Sequence, residues 1–230
     1  MSIDERINAL KGTLIVSCQA PADSPLHHPS VIAAMAAASV LRGAAGVRID
    51  SPAHIQAVRQ QINAPIIGLW KQVMAGSEVY ITPQLHHAQA VAEAGADIIA
   101  IDATQRPRPG DERLSDLIQR IHEDLGKPVM ADVDSLPAAR AAVTAGADLL
   151  GTTLYGYTEA TREFAPPGLQ LVAAMASEFS IPCICEGGIA SPTDAWEAIR
   201  LGAFAVVVGT AITGIDILVR QYHEALSHRT

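Results

Sequence analysis

Short apolar runs alternate with longer mixed stretches along the chain. Eight runs stand out, at 13–18, 46–49, 65–69, 98–102, 129–132, 149–152, 183–186 and 205–208. Most are rich in valine and isoleucine, as strands buried on both faces should be. Between them lie helical patterns at 29–42, 52–61, 84–94, 112–125, 136–145, 167–179, 192–201 and 215–226. A further helix at 1–10 is placed to cover one end of the fold. Ser51-Pro52 and Ser191-Pro192 each read as a capping serine followed by proline at the first helical position.

A junction recurs where helices hand over to strands. It appears as Ala94-Gly95-Ala96-Asp97, as Ala145-Gly146-Ala147-Asp148 and as Leu201-Gly202-Ala203-Phe204, with a looser copy at Ala45-Gly46-Val47. Glycine stops the helix in a left-handed conformation and the small alanine lets the chain turn tightly. The copies are about fifty residues apart, or two strand–helix units. Eight alternating units with right-handed crossovers close into a (β/α)8 TIM barrel, a single domain over 1–230. An open doubly wound sheet is the alternative. No strand is followed by G-x-G-x-x-G, which weakens a dinucleotide-binding version.

The stretch 181–213 organises the rest. Its two apolar runs end in Glu186-Gly187-Gly188 and Gly209-Thr210. Loops after the seventh and eighth strands of such barrels often grip phosphate, and glycine lets backbone N–H groups approach an anion. That reading makes the fold a ribulose-phosphate-binding type of barrel. Two tight turns that need glycine for backbone reasons alone are the other reading.

Composition narrows the classes. The chain has 230 residues, 49% hydrophobic and 17% charged, which suits a buried parallel sheet. A net charge of -8 disfavours nucleic acid or an anionic membrane as partner, while a small anion in a locally positive pocket remains allowed. Cys18, Cys183 and Cys185 sit in or beside strands, as reduced buried thiols of a cytoplasmic protein would. Cys183 and Cys185 lack the C-x2-C spacing of a zinc site. The first residues hold no apolar signal core, and no run reaches membrane-spanning length.

The strand ends change character from apolar to polar: Gln19, Arg48, Lys71, Asp102, Asp132, Thr152, Thr153 and Glu186. Lys71 is one of three lysines and follows the apolar run 66–70. A lysine desolvated by such surroundings is a usable base near neutral pH; one snorkelling to the surface is the alternative. Glu186 is placed to pair with Lys71 across the barrel mouth, to hold a substrate hydroxyl, or to partner Arg48. Arg48 offers a planar fork for an oxyanion, or a buried ion pair. Asp132 should point inward, and Asp102 equally suits the loop carrying Arg106 and Arg108. None of the eight histidines ends a strand, which argues against a metal-dependent pentulose-phosphate epimerase.

These residues carry a family likeness. The segments 15–19, 66–71, 96–104, 151–158, 185–189 and 208–213 occur in this order and resemble those of N-acylglucosamine-6-phosphate 2-epimerase, also called N-acetylmannosamine-6-phosphate 2-epimerase. The resemblance implies interconversion of N-acetylmannosamine 6-phosphate and N-acetylglucosamine 6-phosphate, a step in sialic acid breakdown. It implies that Lys71 moves the C2 proton with Glu186 assisting. It implies that Gln19, Arg48 and Asp132 line the sugar site. Thr153, at a strand end, is expected beside them, and the backbone N–H groups of Gly187, Gly188, Gly209 and Thr210 are expected to hold the phosphate. No nicotinamide, metal or other cofactor is then required. Many relatives carry an arginine near the phosphate where this chain has Gly214, and Arg220 lies two turns too late to replace it. A Schiff-base lyase or synthase at Lys71, and a non-catalytic sugar-phosphate sensor, are the competing readings. Exposed faces of the alanine-rich helices suit a homodimer interface, and tight helix–sheet packing is the other reason for alanine there.

Overall fold

The computed structural model describes residues 3–227. Its strands are β1 (Leu14–Cys18), β2 (Gly46–Asp50), β3 (Ile66–Leu69), β4 (Ile98–Asp102), β5 (Val129–Asp132), β6 (Leu149–Gly151), β7 (Cys183–Glu186) and β8 (Ala205–Val208). All pair in parallel and in sequence order, and β8 returns to β1 through Leu14↔Val206 and Val16↔Val208, so the barrel closes. Its helices are α1 (Ile3–Asn8), α2 (Pro29–Leu41), α3 (Pro52–Arg59), α4 (Leu85–Glu93), α5 (Leu114–Leu125), α6 (Leu136–Thr144), α7 (Leu169–Glu178), α8 (Pro192–Arg200), α9 (Thr210–Thr213) and α10 (Ile215–Ser227). Every expected strand is present within a residue or so. Three features had no sequence signal: the one-turn α9, a 3-10 turn at Pro109–Asp111, and an antiparallel bridge between Lys71 and Ile81. Positions 1 and 2 of the expected first helix lie outside the described residues.

The strands are apolar on both faces because two separate cores flank them. Val16, Val47, Ile49, Ile99 and Leu150 pack outward against the helices. Ile15, Ile67, Ala100, Met130, Ile184 and Val207, at alternate positions, fill the barrel. Leu10, fully buried just after α1, closes the bottom of that inner core. Ala33 and Ala36 on α2 and Ala138, Ala139 and Ala142 on α6 are buried against the barrel. Small side chains let those helices lie close. In contrast α10 exposes Ile215, Ile217, Val219, Tyr222 and Leu226.

The junction repeat does more than stop helices. Gly95, Gly146 and Gly202 have φ of 105°, 98° and 102°, as left-handed stops require. Gly43, at 106°, performs this task before β2, so the expected copy at Gly46 is displaced by three residues. The aspartate after two of the junctions ties down the strand before it: Asp97 accepts from Ile66 N–H at 2.9 Å and Asp148 from Val129 N–H at 2.7 Å. Ser191 forms the expected cap, with Asp194 completing a capping box. Ser51 does not. Its φ of 77° turns the side chain away and no cap bond forms. No helix among the described residues is long and apolar enough to cross a membrane.

Candidate active site

At the C-terminal mouth the inner face turns polar, because the last inward position of several strands carries a charged or hydroxyl group. A cavity of about 790 Å³ opens there, lined by Ser17, Gln19, Lys71, Thr153, Glu186, Gly187, Gly188, Gly209 and Thr210. A second lobe of about 630 Å³ shares Ser17, Gln19, Lys71, Gly209 and Thr210, and adds Asp50, Trp70 and Gly214. Eight of the ten expected site residues therefore meet around one cavity. Arg48 and Asp132 lie beneath it, 1% and 0% exposed.

Those two form the floor. Arg48 Nη2 donates to Asp132 Oδ2 at 2.6 Å and Nη1 to Oδ1 at 3.3 Å, while Nε lies 3.0 Å from Glu186 Oε1. Thr153 Oγ1 donates to Asp132 Oδ1 at 2.6 Å. Room for this contact comes from Gly151: a Cβ there would sit 3.0 Å from Thr153 Oγ1 and 3.1 Å from Asp132 Oδ1, and would collide with the Met130 methyl. Thr152 holds the backbone of Glu186, accepting from its N–H at 3.0 Å and donating to its carbonyl at 2.9 Å. Glu186 Oε2 is buried and has no hydrogen-bond partner among the described residues.

One buried guanidinium faces two carboxylates, so the cluster is neutral only when one carboxyl carries a proton. Burial raises Asp132 above its ordinary value against the pull of Arg48. Burial also raises Glu186, opposed by Arg48 and helped by the Asp132 charge, to about 7. Burial pulls Arg48 down, but Asp132 and Glu186 outweigh it and the guanidinium is held more firmly protonated. The expected pairing of Glu186 with Lys71 does not occur. A buried carboxylate gains more from a buried guanidinium in contact than from an ammonium in solvent.

Lys71 sits at the mouth just beyond β3. It is exposed, not desolvated as the preceding apolar run suggested, because that run ends inside the barrel while Lys71 stands above it. Its Nζ donates to Gln19 Oε1 at 2.5 Å, and Gln19 Nε2 donates to Ser17 Oγ at 2.9 Å. Ser17 was not singled out, though its position two after the inward-facing Ile15 marks it as inward. Tyr157 and Tyr222 also line the cavity, and neither had a sequence signal. Asp102 serves its own loop, accepting from Thr104 N–H at 3.1 Å and Arg106 Nη2 at 2.7 Å. Cys18, Cys183 and Cys185 are free and buried, and burial pushes each thiol up to about 11.

The glycine turns complete the site. No hydrogen bond within the protein is seen from the N–H groups of Gly187, Gly188, Gly209 or Thr210 among the described residues. Gly188, at φ 71°, must be glycine: a Cβ would lie 2.9 Å from the carbonyl carbon of Pro166. Gly214 is equally constrained, since a Cβ there would fall 2.7–2.8 Å from Thr210 Cα, Cγ2 and O. An arginine at this position would need α9 to move. Arg220 lines neither lobe, and Lys71 is the one lysine or arginine that does among the described residues.

The family model described as "Putative N-acetylmannosamine-6-phosphate epimerase" matches residues 32–228. The chain belongs to the N-acetylmannosamine-6-phosphate epimerase family. It is an isomerase of the epimerase type. A relative of Thermosynechococcus vestitus named as the putative 2-epimerase is 64% identical over 96% of both chains. One of Synechococcus elongatus is 56% identical over the full length of both. The solved N-acetylmannosamine-6-phosphate 2-epimerase of Clostridium perfringens superposes with a TM-score of 0.91 at 35% identity, covering 95% of each chain. The thiamine phosphate pyrophosphorylase of Pyrococcus furiosus, at 19% identity and a TM-score of 0.59, shares the fold alone.

Proposed function

We propose that this epimerase interconverts N-acetylmannosamine 6-phosphate and N-acetylglucosamine 6-phosphate by moving the proton on C2. The observation that carries the reading is the meeting of Lys71 and Glu186, from opposite strands, around one cavity with both glycine turns. The phosphate rests on the N–H groups of Gly187, Gly188, Gly209 and Thr210, for which no other acceptor is seen among the described residues. Lys71 Nζ, in its neutral amine form, takes the proton from C2 and becomes the ammonium. The electron pair of the broken C–H bond passes to the neighbouring carbonyl oxygen of the sugar, giving an enolate. Return of a proton to the other face of C2 inverts the centre.

Glu186 is suited to the acid side of that exchange, because burial raises its carboxyl to about 7 and so keeps a protonated fraction available near neutral pH. Arg48 and Asp132 act through it and through Thr153, which faces the cavity from the same cluster. Gln19 holds the Lys71 ammonium and is released to the sugar when substrate arrives. The reaction places the protein in amino-sugar breakdown. A second copy would cover the exposed apolar face of α10 in a homodimer.

Solvent deuterium exchange at C2, followed on both amino-sugar 6-phosphates, tests the reading. Exchange should be fast with the native chain and fall at least about a thousandfold in Lys71→Ala, with the fold unchanged because Lys71 is exposed. Gly214 favours the sensor reading, since it leaves the phosphate without an arginine. Tight binding without exchange would establish that reading instead. A borohydride-reducible adduct on Lys71 would point to Schiff-base chemistry.

A further inference from the structure

Among the described residues, three non-glycine residues have a left-handed backbone: Ser51 at φ 77°, Thr82 at 44° and Asp111 at 55°. Two of the three meet at the end of β3. Ser51 N–H donates to the Leu69 carbonyl at 2.8 Å and Thr82 N–H to the Trp70 carbonyl at 2.9 Å. The Thr82 hydroxyl accepts from Trp70 N–H at 3.0 Å, and Asp50 Oδ1 accepts from Lys71 N–H at 2.9 Å. Four consecutive backbone groups, from the Leu69 carbonyl to the Lys71 N–H, are thus held from outside β3.

We propose that Thr82 is a positioning residue that fixes the backbone of Lys71 for proton transfer, with Asp50 as its counterpart across the chain. This rests on the reading of Lys71 as the base. A β-branched residue in the left-handed region is sterically disfavoured and persists only where its surroundings impose it. Thr82 is 0% exposed, and both its N–H and its hydroxyl are committed to Trp70. Beside it, Ile81 bridges Lys71 and is buried in the barrel, so the returning loop is anchored at the same point.

The lysine needs this. Its side chain is exposed, long and flexible, with Gln19 the partner of its ammonium. A tilt of the Trp70–Lys71 peptide is carried out to Nζ along the whole side chain. Misplacement of a reacting group by about 1 Å costs on the order of a hundredfold in rate. Glycine would adopt the Thr82 conformation freely but has no hydroxyl to take the Trp70 N–H.

The test is the kcat and KM of C2 hydrogen exchange on N-acetylmannosamine 6-phosphate. Thr82→Val keeps the shape and removes the acceptor; it should lower kcat at least tenfold with KM within threefold. Thr82→Ser restores the hydroxyl and should return kcat to within about threefold of native. Asp50→Ala removes the acceptor of Lys71 N–H and should lower kcat in the same way, and it carries the test alone if Thr82→Val does not fold. Unchanged kcat in folded Thr82→Val, or loss that Thr82→Ser does not rescue, overturns the proposal, as does unchanged kcat in Asp50→Ala where that variant stands alone. Lys71→Met in the same assay separates the two levels: exchange that survives it refutes the reading of the base itself.

Discussion

The two ends of the site are held in opposite ways. At the end of β7, Glu186 is buried and its side chain is locked by charge, with Arg48, Asp132 and Thr153 fixing it from below. At the end of β3, Lys71 is exposed and its backbone is locked, by Asp50, Ser51 and Thr82. The difference follows from solvation. A buried carboxyl must have its charge answered at close range, which also orients it, while burial itself lifts its pKa. An exposed ammonium is satisfied by water, so nothing orients it unless the main chain is made rigid. Strain is stored on the lysine side, about 1–3 kcal/mol for each left-handed residue; desolvation cost is stored on the glutamate side.

Removing the cation is the most severe way to break the charge-locked side. Arg48→Met leaves two carboxyls buried without their cation and should lower the unfolding free energy by about 3–5 kcal/mol. Urea titration reads this, and a variant as stable as native would mean that the cluster is not what holds the β7 end.

Acidity sharpens the same side. Glu186 titrates at about 7 in the fold, raised by burial from an ordinary value of 4.5. The fold disfavours its ionised form, so its contribution is complete below the unfolded value and is lost as pH rises through about 7. Across that window the loss should be on the order of 1–3 kcal/mol. His87 runs the other way, because burial lowers its imidazole to about 4. Taking the difference between the native chain and Glu186→Gln at each pH removes the histidine from the comparison. A difference that is flat with pH would deny Glu186 its proton.

Crowding the floor should cost somewhat less. Gly151→Ala puts a methyl group against Met130, Thr153 and Asp132 and should destabilise by about 1–3 kcal/mol, with loss of exchange activity as the cluster shifts. Unaltered activity would show that the Thr153–Asp132 contact is dispensable.

The mildest contrast uses two serines that look alike in sequence. Ser191→Ala removes a true cap and should cost about 1 kcal/mol. Ser51→Gly keeps the N–H that binds Leu69 and relieves a left-handed φ, so it should stabilise by up to about 1 kcal/mol. Thermal denaturation of the two variants side by side measures both. Equal losses would mean that Ser51 caps α3 after all.

Much of the barrel could be read in advance, because each strand and helix announces itself locally. The glycine of the junctions and the apolar runs needed no tertiary knowledge. The aspartates of Ala-Gly-Ala-Asp were seen as part of a repeat, yet their task of pinning Ile66 and Val129 is invisible until strands stand side by side. Lys71 was found through its scarcity and its strand end, but its solvation was misjudged, since an apolar run says nothing about how far above the barrel the next residue stands. Thr82 and Ser17 went unnoticed: one lies in a loop without a motif, and the other is an ordinary serine inside a strand.

By itself the amino-acid order determined the eight-unit alternation, the glycine turns after β7 and β8, and which polar residues crown the strands. Those are properties of spacing and side-chain type, which act over a few residues. Only the closed barrel decided that Arg48 meets Asp132 and Glu186, that burial raises the Glu186 carboxyl, and that the backbone around Lys71 is bonded to Asp50, Ser51 and Thr82. Partner choice and desolvation depend on which groups meet when distant strands converge, and that convergence is a property of the fold as a whole.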